Sequence, residues 1–228
     1  MTTSGLLGGE LFRGLPQDEV KRLVAIAHRR RFARNEVVFH RGDPADTLHL
    51  ILRGRFAARL DSELGDAITV SVHGPGDAFG ELALLDLEEK RSTTVAALEI
   101  GETYSIHRDD FTRLRSRYPS VNDVLARLLA ARVRRMSVLL AEAFAVDAEK
   151  RLLRRLLELA TLYGDGLPGT VVPLSQGELA GLAGTSRATV NRVLRAEAAR
   201  GTVELRRGQT RIVHPTALAR RSGGRTQR

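Results

Sequence analysis

The stretch LSQGELAGLAGTSRATVNRVLRAEAARG, Leu174 to Gly201, holds two helices and the break between them. Ser175 with Glu178 forms an S-x-x-E capping box, in which each residue satisfies an amide the helix start would leave without a partner. Gly184 supplies the turn residue and Ser186 a cap for the second helix, so the spacing is that of a helix-turn-helix. At about 100° per residue, with Arg187 at zero, Asn191 falls near 40°, Arg195 near 80°, Ala188 near 100° and Arg192 near 140°. Val190, Val193 and Leu194 lie between about 240° and 340°, on the opposite side. One face of this helix is made for a core and the other for a partner.

The partner face carries arginines in its first two turns and no acidic residue. Arginine's planar fork matches O6 and N7 of guanine, so the pattern predicts a recognition helix in the major groove of double-stranded DNA; a merely solvated face is the bland alternative. Ser175, Gln176, Ser186, Arg187, Ala188, Asn191, Arg192 and Arg195 form the predicted DNA-facing set. Beyond them, Thr202 to Leu205 and Arg211 to Val213 flank Arg206-Arg207-Gly208-Gln209, a hairpin that adds a wing able to touch phosphate. Residues 220–228 read as a basic, disordered tail.

Charge divides the 228-residue chain in the same sense. Residues 1–110 carry 14 Lys/Arg against 18 Asp/Glu, and residues 111–228 carry 22 against 9. A basic half is the electrostatic footprint of nucleic-acid binding, although an arginine-rich solvated face has the same composition. Cysteine is absent, which excludes disulfides, thiolate zinc sites, cysteine-held iron–sulfur clusters and a cysteine nucleophile. The six histidines show no metal-ligand spacing and there is no Walker loop, so no catalytic or metal residue is assigned and the chain reads as a non-enzyme. With no secretory leader and no long uncharged apolar run, a cytoplasmic protein without a membrane partner is expected.

The first half has another rhythm. After a short helix over Pro16 to His28, β-rich runs follow at Val37 to Phe39, Leu48 to Leu52, Phe56 to Leu60, Ile68 to Val72, Thr93 to Leu98 and Glu102 to Ile106. Gly- and Asp-containing turns separate them, the pattern of a small antiparallel barrel or roll. From Ser120 the period is helical, with Val121, Val124, Leu125, Leu128, Leu129, Met136, Leu139, Leu140 and Ala143 interleaved with Arg127, Arg132, Arg134 and Arg135. A helix of about 24 residues spans roughly 36 Å, longer than one small domain needs. Part of its stripe therefore packs either on a second copy of the chain or within an ordinary core. Ala145-Val146-Asp147 breaks the pattern as a hinge, and Asp147 caps the next helix, which runs to about Tyr163.

Within the roll lies FGELALLDLEEKRSTTV, Phe79 to Val95, whose Arg91-Ser92 pair returns to a strand facing a Gly-Glu helix start. Together with TSRATVNRVL, this stretch makes the chain resemble the CRP/FNR family of bacterial transcription regulators, in its cyclic-AMP receptor branch, over nearly its whole length. The resemblance implies an α+β fold: an N-terminal cyclic-nucleotide-binding, jelly-roll-like β-roll (1–118), a long dimerisation helix and hinge (119–146), a C-terminal winged helix-turn-helix (147–219) and the tail. It implies a phosphate held at the N-terminus of a short helix starting near Gly80 and by Arg91 and Ser92, and a ribose hydroxyl accepted by Glu81. Leu82 and Ala83 share that wall, and Met136 and Ser137 stand where relatives contact the base.

The effector so implied is cyclic AMP, with cyclic GMP or no nucleotide as alternatives. The partners implied are pseudo-palindromic promoter DNA, a second copy in a homodimer, and RNA polymerase. Four positions depart from the family pattern. Met136 replaces a hydroxyl-bearing residue, Thr93 a small one, Ala188 a glutamate that reads cytosine, and Glu197 a buried leucine, a change expected to loosen the helix end. These departures keep open a regulator that works without cyclic nucleotide or answers another effector, and, more remotely, a regulatory subunit without DNA function.

Overall fold

The computed structural model describes residues 16–61, 67–85 and 90–223. Its first elements are α1 (Gln17–Ala25), β1 (His28–Phe32), β2 (Val37–Phe39), β3 (Thr47–Arg53), β4 (Phe56–Asp61), β5 (Ala67–His73) and β6 (Ala78–Phe79). A 3₁₀ turn (Glu81–Leu84), β7 (Thr94–Ala97), β8 (Gly101–His107) and α2 (Arg108–Arg117) complete this part. Two four-stranded antiparallel sheets result, ordered β1-β8-β3-β6 and β2-β7-β4-β5. Phe32, Ile51, Phe56, Ala58, Phe79, Val95 and Ala97 fill one cluster in this roll. A second cluster joins Val20, Leu48, Leu50 and Ile106 to Phe111 and Leu114 of α2 and to Val121, Val124 and Leu125.

Two elements depart from the sequence reading. The opening helix stops at Ala25 rather than His28, because His28 begins β1, whose run HRRRF is exposed at four positions and buried only at Phe32. Three arginines give no alternating signal, and the strand exists because β8 pairs with it. Glu102 of β8 then meets Arg29, with Nε at 3.0 Å, and Arg31 at 3.2 Å. α2 is likewise unannounced as a separate helix; it follows β8 without a loop and buries Phe111 and Leu114.

The long helix α3 (Val121–Ala145) is a single helix, ending at the first residue of the expected break. Its first turns bury Val121, Val124 and Leu125, but Val133, Met136, Val138, Leu140 and Phe144 are exposed, Phe144 to 86%. The chain forms two compact units that part within α3, between Met136 and Ser137, with Asp61–Val70 grouped with the second.

In the second unit, α4 (Ala148–Gly164) buries Leu152, Leu153, Leu156, Leu159 and Ala160, the stripe of a helix with one apolar face. Asp147 occupies the N-cap without a side-chain capping bond, and pairs with Lys150 at 3.6 Å instead. β9 (Val171–Val172), α5 (Gln176–Ala183), α6 (Arg187–Ala199), β10 (Val203–Arg206), β11 (Gln209–Ile212) and α7 (Pro215–Arg221) follow. Sheet order β10-β11-β9 makes the wing, turned at Arg207-Gly208. The expected tail from residue 220 is corrected: Arg220 and Arg221 lie in α7, which buries Leu218, and residues 224–228 fall outside the described residues.

Two histidines are sealed inside the roll. His49 stacks on Phe79 at 5.0 Å and bonds Thr103 Oγ1 at 3.1 Å, and His73 bonds Ser71 Oγ at 2.8 Å. Burial, aided by the charges of Arg91 and Arg30, lowers His49 to about 3; burial, aided by Arg132, lowers His73 to about 3. Both are neutral when folded and protonate when unfolded, so stability is full above the unfolded value of 6.5 and falls as pH drops from there towards 3. Urea unfolding at stepped pH is expected to lose up to about 1.4 kcal/mol per pH unit for each histidine, and His49→Gln to remove its share of that slope.

Candidate ligand pocket and nucleic-acid interface

The pocket begins with a backbone constraint. Gly80 has φ +81°, and a Cβ there would stand 2.8 Å from Arg91 Nη1 and 2.8 Å from the Thr47 carbonyl oxygen. Only glycine fits both the torsion and the space. The turn so made carries Glu81, Leu82, Ala83 and Leu84 as the 3₁₀ turn. Residues 86–89 of the expected cassette lie outside the described residues.

Arg91 is buried, 6% exposed. Its Nη1 donates to the Thr47 carbonyl at 2.8 Å, its Nη2 donates to Thr47 Oγ1 at 2.7 Å and lies 3.3 Å from Asp46, and the guanidinium sits over the Phe39 ring at 4.0 Å. Nε is buried without an acceptor. Burial lowers the Arg91 pKa from its ordinary value, opposed by the charges of Asp46, Asp43 and Glu81. A buried guanidinium whose Nε has no acceptor, packed against a glycine, is a candidate group for holding an anion.

Glu81 is buried too, and Arg132 of α3 approaches it, Nε to Oε1 at 3.4 Å. Arg132 also donates to the Ala78 carbonyl at 3.0 Å. Thus Gly80, Glu81 and Arg91 come together, while Ser92 lies exposed beside them. Met136, 65% exposed, stands one turn beyond Arg132 on the same face of α3, and Ser137 is exposed as well. Sequence reasoning placed Arg132 only among the interleaved arginines and passed over Asp46, Thr47 and Phe39. Its spacing of four from Met136 was the available signal for Arg132; the others are brought in by β2 and β3 and have no local signature.

In the second unit the helix-turn-helix has its expected caps. Ser175 and Glu178 make both bonds of the capping box, Gly184 adopts φ +58°, and Ser186 accepts from the Thr189 amide at 3.1 Å. Val190, Val193 and Leu194 are buried; Arg187, Ala188, Arg192 and Arg195 are exposed together with Ser175 and Ser186. Asn191 is half-buried and donates to Gln176 Oε1 at 3.1 Å, which binds the two helices to each other. Although α6 carries no acid on its exposed arc, Glu149 of α4 comes within 4.0 Å of Arg192 while accepting from Arg221 at 3.0 Å.

Glu197 does not loosen the helix end. It is fully buried and accepts from Thr202 Oγ1 at 2.7 Å, Arg221 Nε at 2.7 Å and Arg200 Nη1 at 3.2 Å. A carboxylate with three donors clamps α6 to β10 and α7, where a leucine would only pack. Nearby, Glu142 of α3 pairs with Arg154 at 2.9 Å and with the buried Arg155, tying the last turns of α3 to α4. Among the described residues there is no cluster of three or more metal-ligating side chains, and no helix is long and apolar enough to cross a membrane.

An antiparallel β-roll followed in the chain by a winged helix-turn-helix is the architecture of a DNA-binding regulator with a sensory domain. Residues 29–118 match the cyclic nucleotide-binding domain, and residues 150–221 match the Crp-like helix-turn-helix domain. The chain is 36% identical over 205 residues to the cyclic AMP receptor protein of Thermus thermophilus, covering 90% of this chain and 93% of that protein. It is 31% identical over 215 residues to the CRP-like cAMP-activated global transcriptional regulator of Mycobacterium tuberculosis, covering 93% and 96%.

Among solved structures, the catabolite activator protein of Thermus thermophilus is similar at 34% identity with a TM-score of 0.54, covering 93% of this chain and 98% of that one. The c-di-GMP responsive global regulator CLP of Xanthomonas campestris shares the fold, with a TM-score of 0.76 at 23% identity, over 87% and 99%. The chain belongs to the CRP/FNR family of bacterial transcription regulators and is a cyclic-nucleotide-binding, DNA-binding member of it, not an enzyme.

Removing Glu197 takes one acceptor from Arg221, which keeps Glu149, and one from Thr202, whose hydroxyl keeps the backbone carbonyl of residue 197. Glu197→Ala is expected to destabilise that unit by about 1–3 kcal/mol in urea unfolding, and Glu197→Gln by about 0.5–1.5 kcal/mol, since the amide still accepts from Thr202.

Proposed function

We propose that this protein is a homodimeric transcription regulator whose binding to promoter DNA is switched by cyclic AMP. The reading rests above all on Arg91: a buried guanidinium with an unspent Nε, pressed against a glycine of positive φ, fits a cyclic phosphate. Ser92 adds a hydroxyl donor, Glu81 accepts the ribose hydroxyl, and Leu82 and Ala83 complete that wall. Met136 offers its thioether to the face of the purine and Ser137 its hydroxyl. The similarity to a cyclic AMP receptor protein and to a cAMP-activated regulator supports this choice of effector over cyclic GMP.

The second copy packs on α3. Val133, Met136, Leu140 and Phe144 recur at steps of three and four and stand exposed, a stripe that a like helix covers. The roll extends over 1–118, the dimerisation helix and hinge over 119–146 and the DNA-binding domain over 147–219 with the rest of α7. Nucleotide favours the hinge arrangement that spaces two recognition helices for successive major grooves of a pseudo-palindromic site, through a coupling of about 1–3 kcal/mol. Arg187 and Arg192 read guanines, and Ser175, Gln176, Ser186, Asn191 and Arg195 hold the helix or contact the backbone. Ala188, lacking an acceptor for cytosine, relaxes one position per half-site. RNA polymerase is the downstream partner, in the cytoplasm.

Selection of random DNA with and without cyclic AMP tests the whole reading: a palindromic site enriched only with nucleotide is expected, and enrichment indifferent to nucleotide would sink the switch. In calorimetry, Arg91→Ala is expected to weaken cyclic AMP binding by roughly 10- to 100-fold, the worth of one or two charge-assisted hydrogen bonds. Arg187→Ala is expected to cost about 1–3 kcal/mol of discrimination at one guanine and to lower the salt slope of binding.

A further inference from the structure

The contact between Arg132 and Glu81 has a support on its far side. Arg132 Nη1 lies 3.2 Å from Nε2 of His73, at the end of β5. Its Nη2 takes the Ala78 carbonyl and its Nε faces Glu81 Oε1, so the three nitrogens of one guanidinium are each met by a different element of the roll. An arginine has only donors, and its bond to Nε2 requires that nitrogen to present a lone pair. Deep burial keeps His73 neutral, and Nε2 is the acceptor for Arg132 in the tautomer that carries its proton on Nδ1. Ser71 shares the same nitrogen at 2.8 Å, and the ring tilts against Phe79 at 6.4 Å.

We propose that His73 is a positioning residue for ribose recognition: it anchors Arg132, and Arg132 in turn holds the Glu81 carboxylate by Oε1, leaving Oε2 to accept the sugar 2′-hydroxyl. The proposal rests on the reading of Glu81 as the ribose acceptor. Without an acceptor at His73, the half-exposed Arg132 side chain turns towards water, as long charged side chains do. Glu81 then keeps its charge in a buried place with one fixed partner fewer, and its aim is lost. Leucine fills the volume of the imidazole and offers no lone pair, whereas glutamine places an amide oxygen near the position of Nε2. The two substitutions separate packing from hydrogen bonding.

The experiment is calorimetric titration of the full chain with cyclic AMP and 2′-deoxy cyclic AMP, for wild type, His73→Leu and His73→Gln, each first checked for an unchanged circular dichroism melt. Expected is a loss of about tenfold in cyclic AMP affinity for His73→Leu, with the deoxy analogue nearly unaffected, and recovery of the preference in His73→Gln. Equal weakening of both nucleotides, or wild-type preference retained in His73→Leu, overturns the proposal. A wild type that binds neither nucleotide, or binds both alike, refutes the reading of Glu81 instead. The anchor then stands or falls on a ligand-free measurement, the exchange of the Arg132 Nε–H proton by NMR. Slow exchange in wild type and His73→Gln, becoming fast in His73→Leu, sustains the anchor, and equal rates in all three overturn it.

Discussion

A positive charge buried in the roll is the constraint around which the first half of the molecule is organised. Taking a guanidinium out of water costs several kcal/mol unless its donors are met. Arg91 meets that cost with the carbonyl and hydroxyl of Thr47, the carboxylate of Asp46 and the face of Phe39. The three partners come from β2, β3 and the loop before β3, so the strands must close on one another before the charge is tolerable. Gly80 is demanded by the same arrangement, because any side chain there would strike the guanidinium or the Thr47 carbonyl. Nε is the one guanidinium nitrogen that these partners leave without an acceptor.

The second unit solves the opposite problem. Glu197 is a buried negative charge, and Thr202, Arg200 and Arg221 converge on it from the end of α6, the residue before β10 and α7. Glu149 continues the chain of charges from Arg221 towards Arg192. In both units, then, a buried ion fixes the relative placement of elements that apolar packing alone would hold less specifically. In the roll the ion ties β2 to β3, and in the winged domain it braces α6 from behind.

Most of the helical half was legible because its signals are local. A capping box, a glycine at φ +58° and a three-residue step between apolar positions act within one or two turns, and no distant residue can change their meaning. The roll's inner strands were legible for the same reason, since alternation is a property of a few consecutive residues. What escaped was β1, a run of arginines that becomes a strand only against β8, and α7, which is held in place by Glu197 and Glu149 rather than by a strong pattern of its own. The role assigned to Glu197 failed for a related reason: an acid in a core position looks like a defect until its three donors are known.

Sequence alone determined the order of the parts, the caps and faces of the two helices of the DNA-reading motif, and the grouping of Gly80, Glu81, Arg91 and Ser92 on one short stretch. These follow from torsions and periodicities that short-range sterics impose. Only the tertiary structure decided which charges are buried and by whom they are met: Asp46 and Thr47 on Arg91, His73 behind Arg132, and Arg221 on Glu197. Such pairings join residues tens of positions apart. Their worth depends on the water excluded around them, a property of the packed interior and of no segment by itself.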